Sequence, residues 1–179
     1  MKRAIISGLV ALLVLAAVIV TAGCGGGDTE QAKKYMKQGD GLADAIGDRS
    51  GEITASIEAL LKATDPASRS AAWEQIQSLN NVQKVLLQKA KAEYQKIKEL
   101  KGVVDYARYV ELKTLALDAA EQLMGVTNDF LQKAYSNGFA SQQELEAAQR
   151  KFQAEIEGLQ EENDRANEEA QQLKKDKKL

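Results

Sequence analysis

Apolar residues recur every three, four or seven positions along most of this chain of 179 residues. An α-helix completes a turn in about 3.6 residues, so this spacing places them on one face of a helix. The composition agrees, because Ala, Leu, Gln, Glu and Lys are strong helix formers and dominate the chain. The sequence therefore predicts an all-α fold.

Breaks in the apolar pattern divide it into helices. At Asp65-Pro66, the aspartate fits an N-cap and the proline fits the first position of the next helix. At Lys101-Gly102 the phase of the apolar stripe changes. We expect Gly102 to end one helix and Asp105 to cap the next. A single long helix with a kink at this point is the alternative.

The last break precedes the fourth helix. Residues 136–138 end the third helix, and Ser141 with Glu144 fits a capping box that opens the fourth. The helices are predicted near residues 29–63, 66–100, 106–135 and 142–176. Helices of similar length joined by short loops pack antiparallel. We therefore predict an antiparallel up-down-up-down four-helix bundle with coiled-coil-like packing, following an N-terminal signal segment.

The N-terminal segment has a different character. It begins with Lys2 and Arg3, continues as an almost wholly apolar run over residues 4–22, and reaches small residues just before Cys24, the only cysteine. Three glycines follow, at positions 25–27. A basic start, an apolar run and small residues at its end are typical of a secretory signal.

With Thr21, Ala22 and Gly23 directly before Cys24, this segment resembles the lipobox signal of bacterial lipoproteins. The resemblance implies cleavage before Cys24 and acyl chains, such as palmitate, on that residue. Residues 1–23 would then be a lipoprotein signal peptide, residues 24–28 a lipidated cysteine with a glycine-rich tether, and residues 29–179 the helical bundle domain.

The residues themselves leave two other interpretations of this segment open. The apolar run of 19 residues approaches the ~20 residues that span a bilayer, so it could remain as an uncleaved anchor. An ordinary signal peptidase could instead cut after Ala22 and release a protein with a free thiol at Cys24.

The first helix carries small residues at every fourth position, which are Gly39, Ala43, Gly47, Gly51 and Ala55. Glycine inside a helix costs about 1 kcal/mol relative to alanine, so some other interaction should offset that cost. Close packing within the bundle, local flexibility and a groove that docks a partner helix are three interpretations of this row.

Two sets of polar residues accompany these stripes. Asp40, Asp44, Asp48 and Glu52 also recur at every fourth position, and we expect them to form a solvated face. Asn163 interrupts the apolar stripe of the fourth helix. A single asparagine at such a position fixes the register of helix packing.

The chain ends in a run of lysines, Lys174, Lys175, Lys177 and Lys178. In an antiparallel four-helix bundle the C-terminus returns to the end at which the first helix starts. If Cys24 is lipidated, these lysines return to the membrane. We predict that they contact its surface.

The composition also bears on function. The chain has no histidine, and its one thiol is assigned to lipid, so we predict no catalytic residue, no metal site and no cofactor. A net charge of −2 argues against a nucleic-acid partner. We expect a lipid-anchored protein on the extracytoplasmic face of a bacterial membrane, acting as a structural or protein-interaction scaffold for a protein partner. A membrane-anchored ligand-binding or sensory bundle is the alternative.

Overall fold

The computed structural model describes residues 27–136 and 138–179. They form four helices: α1 (Gly27–Lys62), α2 (Pro66–Lys98), α3 (Val104–Tyr135) and α4 (Gln142–Lys177). The predicted signal segment and Cys24 lie outside the described residues. Since α1 begins at Gly27, residues 27 and 28 belong to the helix and not to the tether. No helix within the described ranges combines the length and the apolar character needed to cross a bilayer.

The four helices pack as an all-α bundle. The most extensive contacts join α1 to α2 and α3 to α4, and a smaller contact joins α2 to α3. Short connections make consecutive helices antiparallel. The start of α1, the turn of residues 99–103 and the end of α4 therefore share one end of the bundle, called the proximal end below. The connections at residues 63–65 and at the described residues 136 and 138–141 lie at the distal end.

The apolar core has two parts. The larger part contains residues from all four helices and includes the fully buried Leu87, Tyr94, Tyr109 and Val110. The smaller part lies toward the distal end and contains the buried residues Leu60, Ala72, Ile76 and Leu131. Beside this smaller part, Trp73 of α2 stacks on Tyr135 of α3, with ring centroids 5.0 Å apart. The smaller part and this stack therefore join α1, α2 and α3 toward the distal end.

Local chemistry sets the start of two helices as the sequence predicts. Asp65 caps α2, because its Oδ1 accepts a 2.9 Å hydrogen bond from the backbone N–H of Ser68. Ser141 caps α4 by accepting a bond from the N–H of Glu144. The carboxylate of Glu144 accepts in return from the N–H of Ala140. Both predicted caps are confirmed.

The turn between α2 and α3 confirms one prediction and corrects another. Gly102 has a φ of +73°, a left-handed conformation that favours glycine, and it separates two distinct helices. The alternative of one long kinked helix is therefore wrong. Asp105 is not the N-cap of α3. The N-cap is Val103, which makes no side-chain cap bond, and Asp105 lies in the first turn, where it accepts a bond from Lys177.

Candidate functional site

The most concentrated polar arrangement in the bundle surrounds Asp40, and each of the four helices contributes one side chain to it. The hydroxyl of Tyr94 on α2 donates to Asp40 Oδ1 at 2.7 Å, and the hydroxyl of Tyr109 on α3 donates to the same oxygen. The ammonium of Lys174 on α4 donates to Asp40 Oδ2 at 2.7 Å. These four residues are called the Asp40 centre.

Close backbone packing makes this centre possible. Tyr94 and Tyr109 are both 0% exposed, and their rings meet edge to face with centroids 6.3 Å apart. A Cβ placed on Gly39 would come within 2.7 Å of the Tyr94 ring. Glycine at this position therefore lets the ring lie directly against α1, beside the carboxylate that its hydroxyl must reach.

The charges at the centre are mutually compensating. Burial alone would raise the pKa of Asp40, but the bonds donated by Lys174, Tyr109 and Tyr94 outweigh it and hold the pKa below its usual value. Burial, together with the neighbouring carboxylate, raises the pKa of both tyrosines far above the usual range. Asp40 therefore stays ionised and both phenols stay protonated donors at neutral pH.

A second polar cluster joins α3 to α4 beside the centre. The ammonium of Lys113, a residue only 7% exposed, donates to Asn167 Oδ1 at 2.8 Å. Asn167 donates to Asn163, which in turn donates to the backbone carbonyl of Ala116 at 2.7 Å. The predicted asparagine thus ties α4 to α3. Burial lowers the pKa of Lys113, although Asp40 and Asp44 act in the opposite direction.

Polar side chains also connect α2 to α3. Lys91 bridges Asp118 and Glu121 of α3, at 2.6 and 2.5 Å. Burial works against the charge of Lys91, but these two carboxylates outweigh it and raise its pKa. Nearer the distal end, the amide of Gln77 donates to Asn128 Oδ1 at 2.8 Å. Specific polar contacts therefore stabilise the interface between α2 and α3, which is the smallest of the three consecutive helix interfaces.

The row of small residues on α1 does not form one groove. Gly39 is buried and Ala43 is partly buried against the core, whereas Gly47, Gly51 and Ala55 are exposed. Positions four residues apart are about 40° apart around a helix of 3.6 residues per turn. Five such positions therefore turn through about 160°, and they cannot all face one neighbour. Close packing within the bundle accounts for Gly39.

The four acids of α1 face different directions, because positions four residues apart are rotated around the helix. Asp40 turns toward the core, with 17% of its side chain exposed, while Asp44, Asp48 and Glu52 are exposed. The prediction of a solvated face is therefore wrong for Asp40. A sequence signal existed only for Tyr94, which lies at helical spacing from Ala90 and Ile97, because a tyrosine on an apolar face needs a partner for its hydroxyl. That signal does not say which acid supplies the acceptor.

The C-terminal lysines have separate environments. Lys174 is committed to Asp40, with 32% of its side chain exposed, so its ammonium points into the bundle. Lys177 donates to Asp105 of α3 at 3.1 Å. Lys175 and Lys178 are exposed near the proximal end. Contact of these lysines with a membrane stays a prediction, and for Lys174 it would compete with the Asp40 bond.

Two shallow hollows lie side by side at the proximal end. One, of about 180 Å³, is lined by Thr29, Lys33, Gly102, Val103, Asp105, Tyr106, Lys177, Lys178 and Leu179. The other, of about 220 Å³, is lined by Ile97, Lys98, Leu100, Gly102, Val103, Val104, Ala107 and Val110. Pockets for drug-sized ligands usually measure about 300–1,000 Å³. Within the described ranges, no three Asp, Glu, His or Cys side chains are grouped to hold a metal ion.

Comparisons of the chain with protein-family models, with curated proteins and with solved structures find no match. The chemistry of the Asp40 centre and of the proximal end therefore carries the functional interpretation.

Proposed function

We propose that this protein is a lipid-anchored scaffold, attached through Cys24 to the extracytoplasmic face of a bacterial membrane, which binds a partner protein along the side of its bundle. The observation that carries the proposal is the position of α1, which begins at Gly27, three residues after Cys24. An extended chain of three residues reaches at most about 11 Å. An acylated Cys24 would therefore hold the proximal end next to the lipid.

The Asp40 centre supports a structural role for the bundle. Its carboxylate accepts bonds from three helices, and its tyrosines are fully buried. A substrate would have to break these bonds to reach the charged groups. Such a centre fixes the arrangement of four helices, which is what a rigid interaction surface requires.

The size of the two hollows bears on the alternative of a ligand-binding or sensory bundle. At about 180 and 220 Å³, both are smaller than usual ligand pockets, and they open at the surface of the proximal end. We therefore assign recognition of the partner to the side of the bundle. These features favour a scaffold over a small-molecule receptor.

The anchor is tested with Cys24→Ser in cells of the source bacterium supplied with a clickable palmitate. We expect the wild-type chain to carry the label and to fractionate with membranes. The variant should lose the label and keep its signal segment, which mass spectrometry measures. Gly26→Ser, a change of similar size that keeps the cysteine, is the matched control. A Cys24→Ser chain that is processed and labelled normally would contradict the proposal.

The partner is tested with a photo-crosslinking residue placed at exposed positions of α1. Gly51 and Ala55 are exposed, and the chain without a crosslinking residue serves as the control. A scaffold should give a defined protein adduct from the exposed positions and none from the chain without a crosslinking residue. A small molecule that copurifies with the native protein, together with no adduct, would favour the receptor alternative.

A further inference from the structure

Charge is unevenly distributed along the bundle. The eleven residues of each helix nearest the proximal end, with the turn and C-terminus there, span residues 27–37, 88–114 and 167–179. These segments carry fourteen Lys and Arg against nine Asp and Glu, whereas residues 38–87 and 115–166 carry eight against seventeen. The proximal end is therefore cationic on a bundle that is otherwise strongly acidic.

The smaller hollow concentrates part of this positive charge. Lys33 comes from α1, and Lys177 and Lys178 come from the end of α4, so residues far apart in sequence line the same depression. Asp105 pairs with Lys177 at 3.1 Å. The other two lysines are exposed beside it.

The adjoining hollow gives this end an apolar component. Its lining is mostly aliphatic, and Val104 at its edge is 82% exposed, the most exposed of the large hydrophobic residues described. A second exposed aliphatic residue, Leu61 at 77%, lies at the distal end. Lysines around an exposed aliphatic side chain form a surface suited to the interface of an anionic bilayer.

We propose that the proximal end is a docking surface for anionic lipid headgroups, with Lys33, Lys177 and Lys178 facing the phosphates and Val104 entering the interface. This inference rests on the proposed function, since the anchor supplies proximity. The lysines and Val104 then set the orientation of the bundle. The acidic remainder is repelled by the same surface and points away from it, which leaves the side of the bundle accessible to a partner.

The test uses the full chain in lipid nanodiscs of either zwitterionic or partly anionic composition. An environment-sensitive fluorophore is attached to Val104→Cys, and in a separate chain to Leu61→Cys as the distal control. The parent chain, treated alike, reports any signal from Cys24. On anionic discs we expect a blue shift and protection from an aqueous quencher at position 104 only. Both effects should be weak on zwitterionic discs and should fade at high salt.

Charge variants then identify the lysines responsible. We call a molecule docked when its position 104 is in the lipid interface. Replacing Lys33, Lys177 and Lys178 with Gln should lower the ratio of docked to undocked molecules by about fivefold per lysine, because each cation near the surface contributes about 1 kcal/mol. Arginine at the same positions should preserve the docked orientation. The matched control replaces the exposed Lys62, Lys84 and Lys151, all outside the proximal segments, and should change nothing.

Attachment of the chain to the disc and docking of its proximal end are measured separately. If the chain remains on the discs while the fluorophore at position 104 is as accessible to the aqueous quencher as the one at position 61, the docking surface is overturned and the anchor is left intact. Equal effects of the proximal and control triple variants would overturn it as well. The same docked orientation in a chain whose Cys24 carries no acyl group would instead contradict the lipid anchor of the proposed function and leave the docking surface intact.

Discussion

Lys174 donates a 2.7 Å hydrogen bond to Asp40, and this ion pair joins the last helix of the bundle to the first. Among the described residues, it is the only side-chain hydrogen bond between α1 and α4. The same carboxylate accepts from Tyr94 and Tyr109, so one side chain of α1 is bound to all three other helices. The stability of the fold should therefore be unusually sensitive to position 40.

Asp40→Asn should lower the free energy of unfolding by about 1–3 kcal/mol, measured by urea denaturation at neutral pH. The amide keeps the size of the carboxylate but removes the charge that pairs with Lys174. Asp48→Asn is the matched control, because it makes the same change at an exposed position of the same helix. That control should stay within about 0.5 kcal/mol. Equal effects at the two positions would contradict a structural role for Asp40.

The contribution of Asp40 should depend on pH. Since its pKa is lower in the folded chain, its stabilisation is fully present above its unfolded pKa of about 3.9 and is lost as the pH falls through the folded value. The difference in unfolding free energy between the native chain and Asp40→Asn should be constant above about pH 5 and should shrink below about pH 4. Urea midpoints across this range measure it. If the difference in unfolding free energy grows as the pH falls, the pKa of Asp40 is raised on folding and not lowered.

Gly39→Ala and Gly47→Ala should have opposite effects on stability. A Cβ at Gly39 meets the Tyr94 ring at 2.7 Å, whereas one at Gly47 meets nothing within 4 Å. We expect Gly39→Ala to destabilise the protein by about 1–3 kcal/mol through overpacking. Gly47→Ala should stabilise it by up to about 1 kcal/mol, because alanine is the better helix former. Thermal or urea unfolding of the two variants checks this, and two changes of the same sign would not fit the packing.

Lys113→Met should leave stability unchanged or raise it at neutral pH. Burial lowers the pKa of Lys113, so the folded chain holds this proton less tightly than the unfolded chain does. The charged form therefore costs stability below the folded pKa, and the cost disappears as the pH rises toward the unfolded value of about 10.4. The stability of the native chain relative to the variant should rise over that interval. A loss above about 2 kcal/mol in the variant at neutral pH would mean that the bond to Asn167 outweighs the burial cost.

Local chemistry explains which parts of the fold the sequence could predict. Asp65 and Ser141 cap their helices through bonds to residues three positions away, so the pattern contains both partners. Asp105 is also a residue type that commonly caps helices. The geometry of the turn at Gly102 nevertheless makes Val103 the N-cap. Composition identified the turn correctly, but the exact helix start depended on backbone angles that no pattern encodes.

The Asp40 centre shows where sequence patterns stop being informative. Its bonds join residues separated by 54, 69 and 134 positions, so no local spacing connects the donors with the acceptor. The equal intervals between the acids on α1 also conceal their different directions around the helix. Only the packing of helices against one another distinguishes Asp40 from Asp44.

The same three separations set the order in which Asp40 gains its partners during synthesis. A chain that emerges from its N-terminus completes α1 first, and Asp40 then gains Tyr94, Tyr109 and Lys174 one after another as each later helix arrives. The neutralising ammonium comes only with the last six residues of the chain, 174–179. A nascent chain that stops before them has every apolar stripe in place but leaves a half-buried carboxylate without its counter-ion. A chain that lacks Lys174 should therefore be less stable than one that contains it.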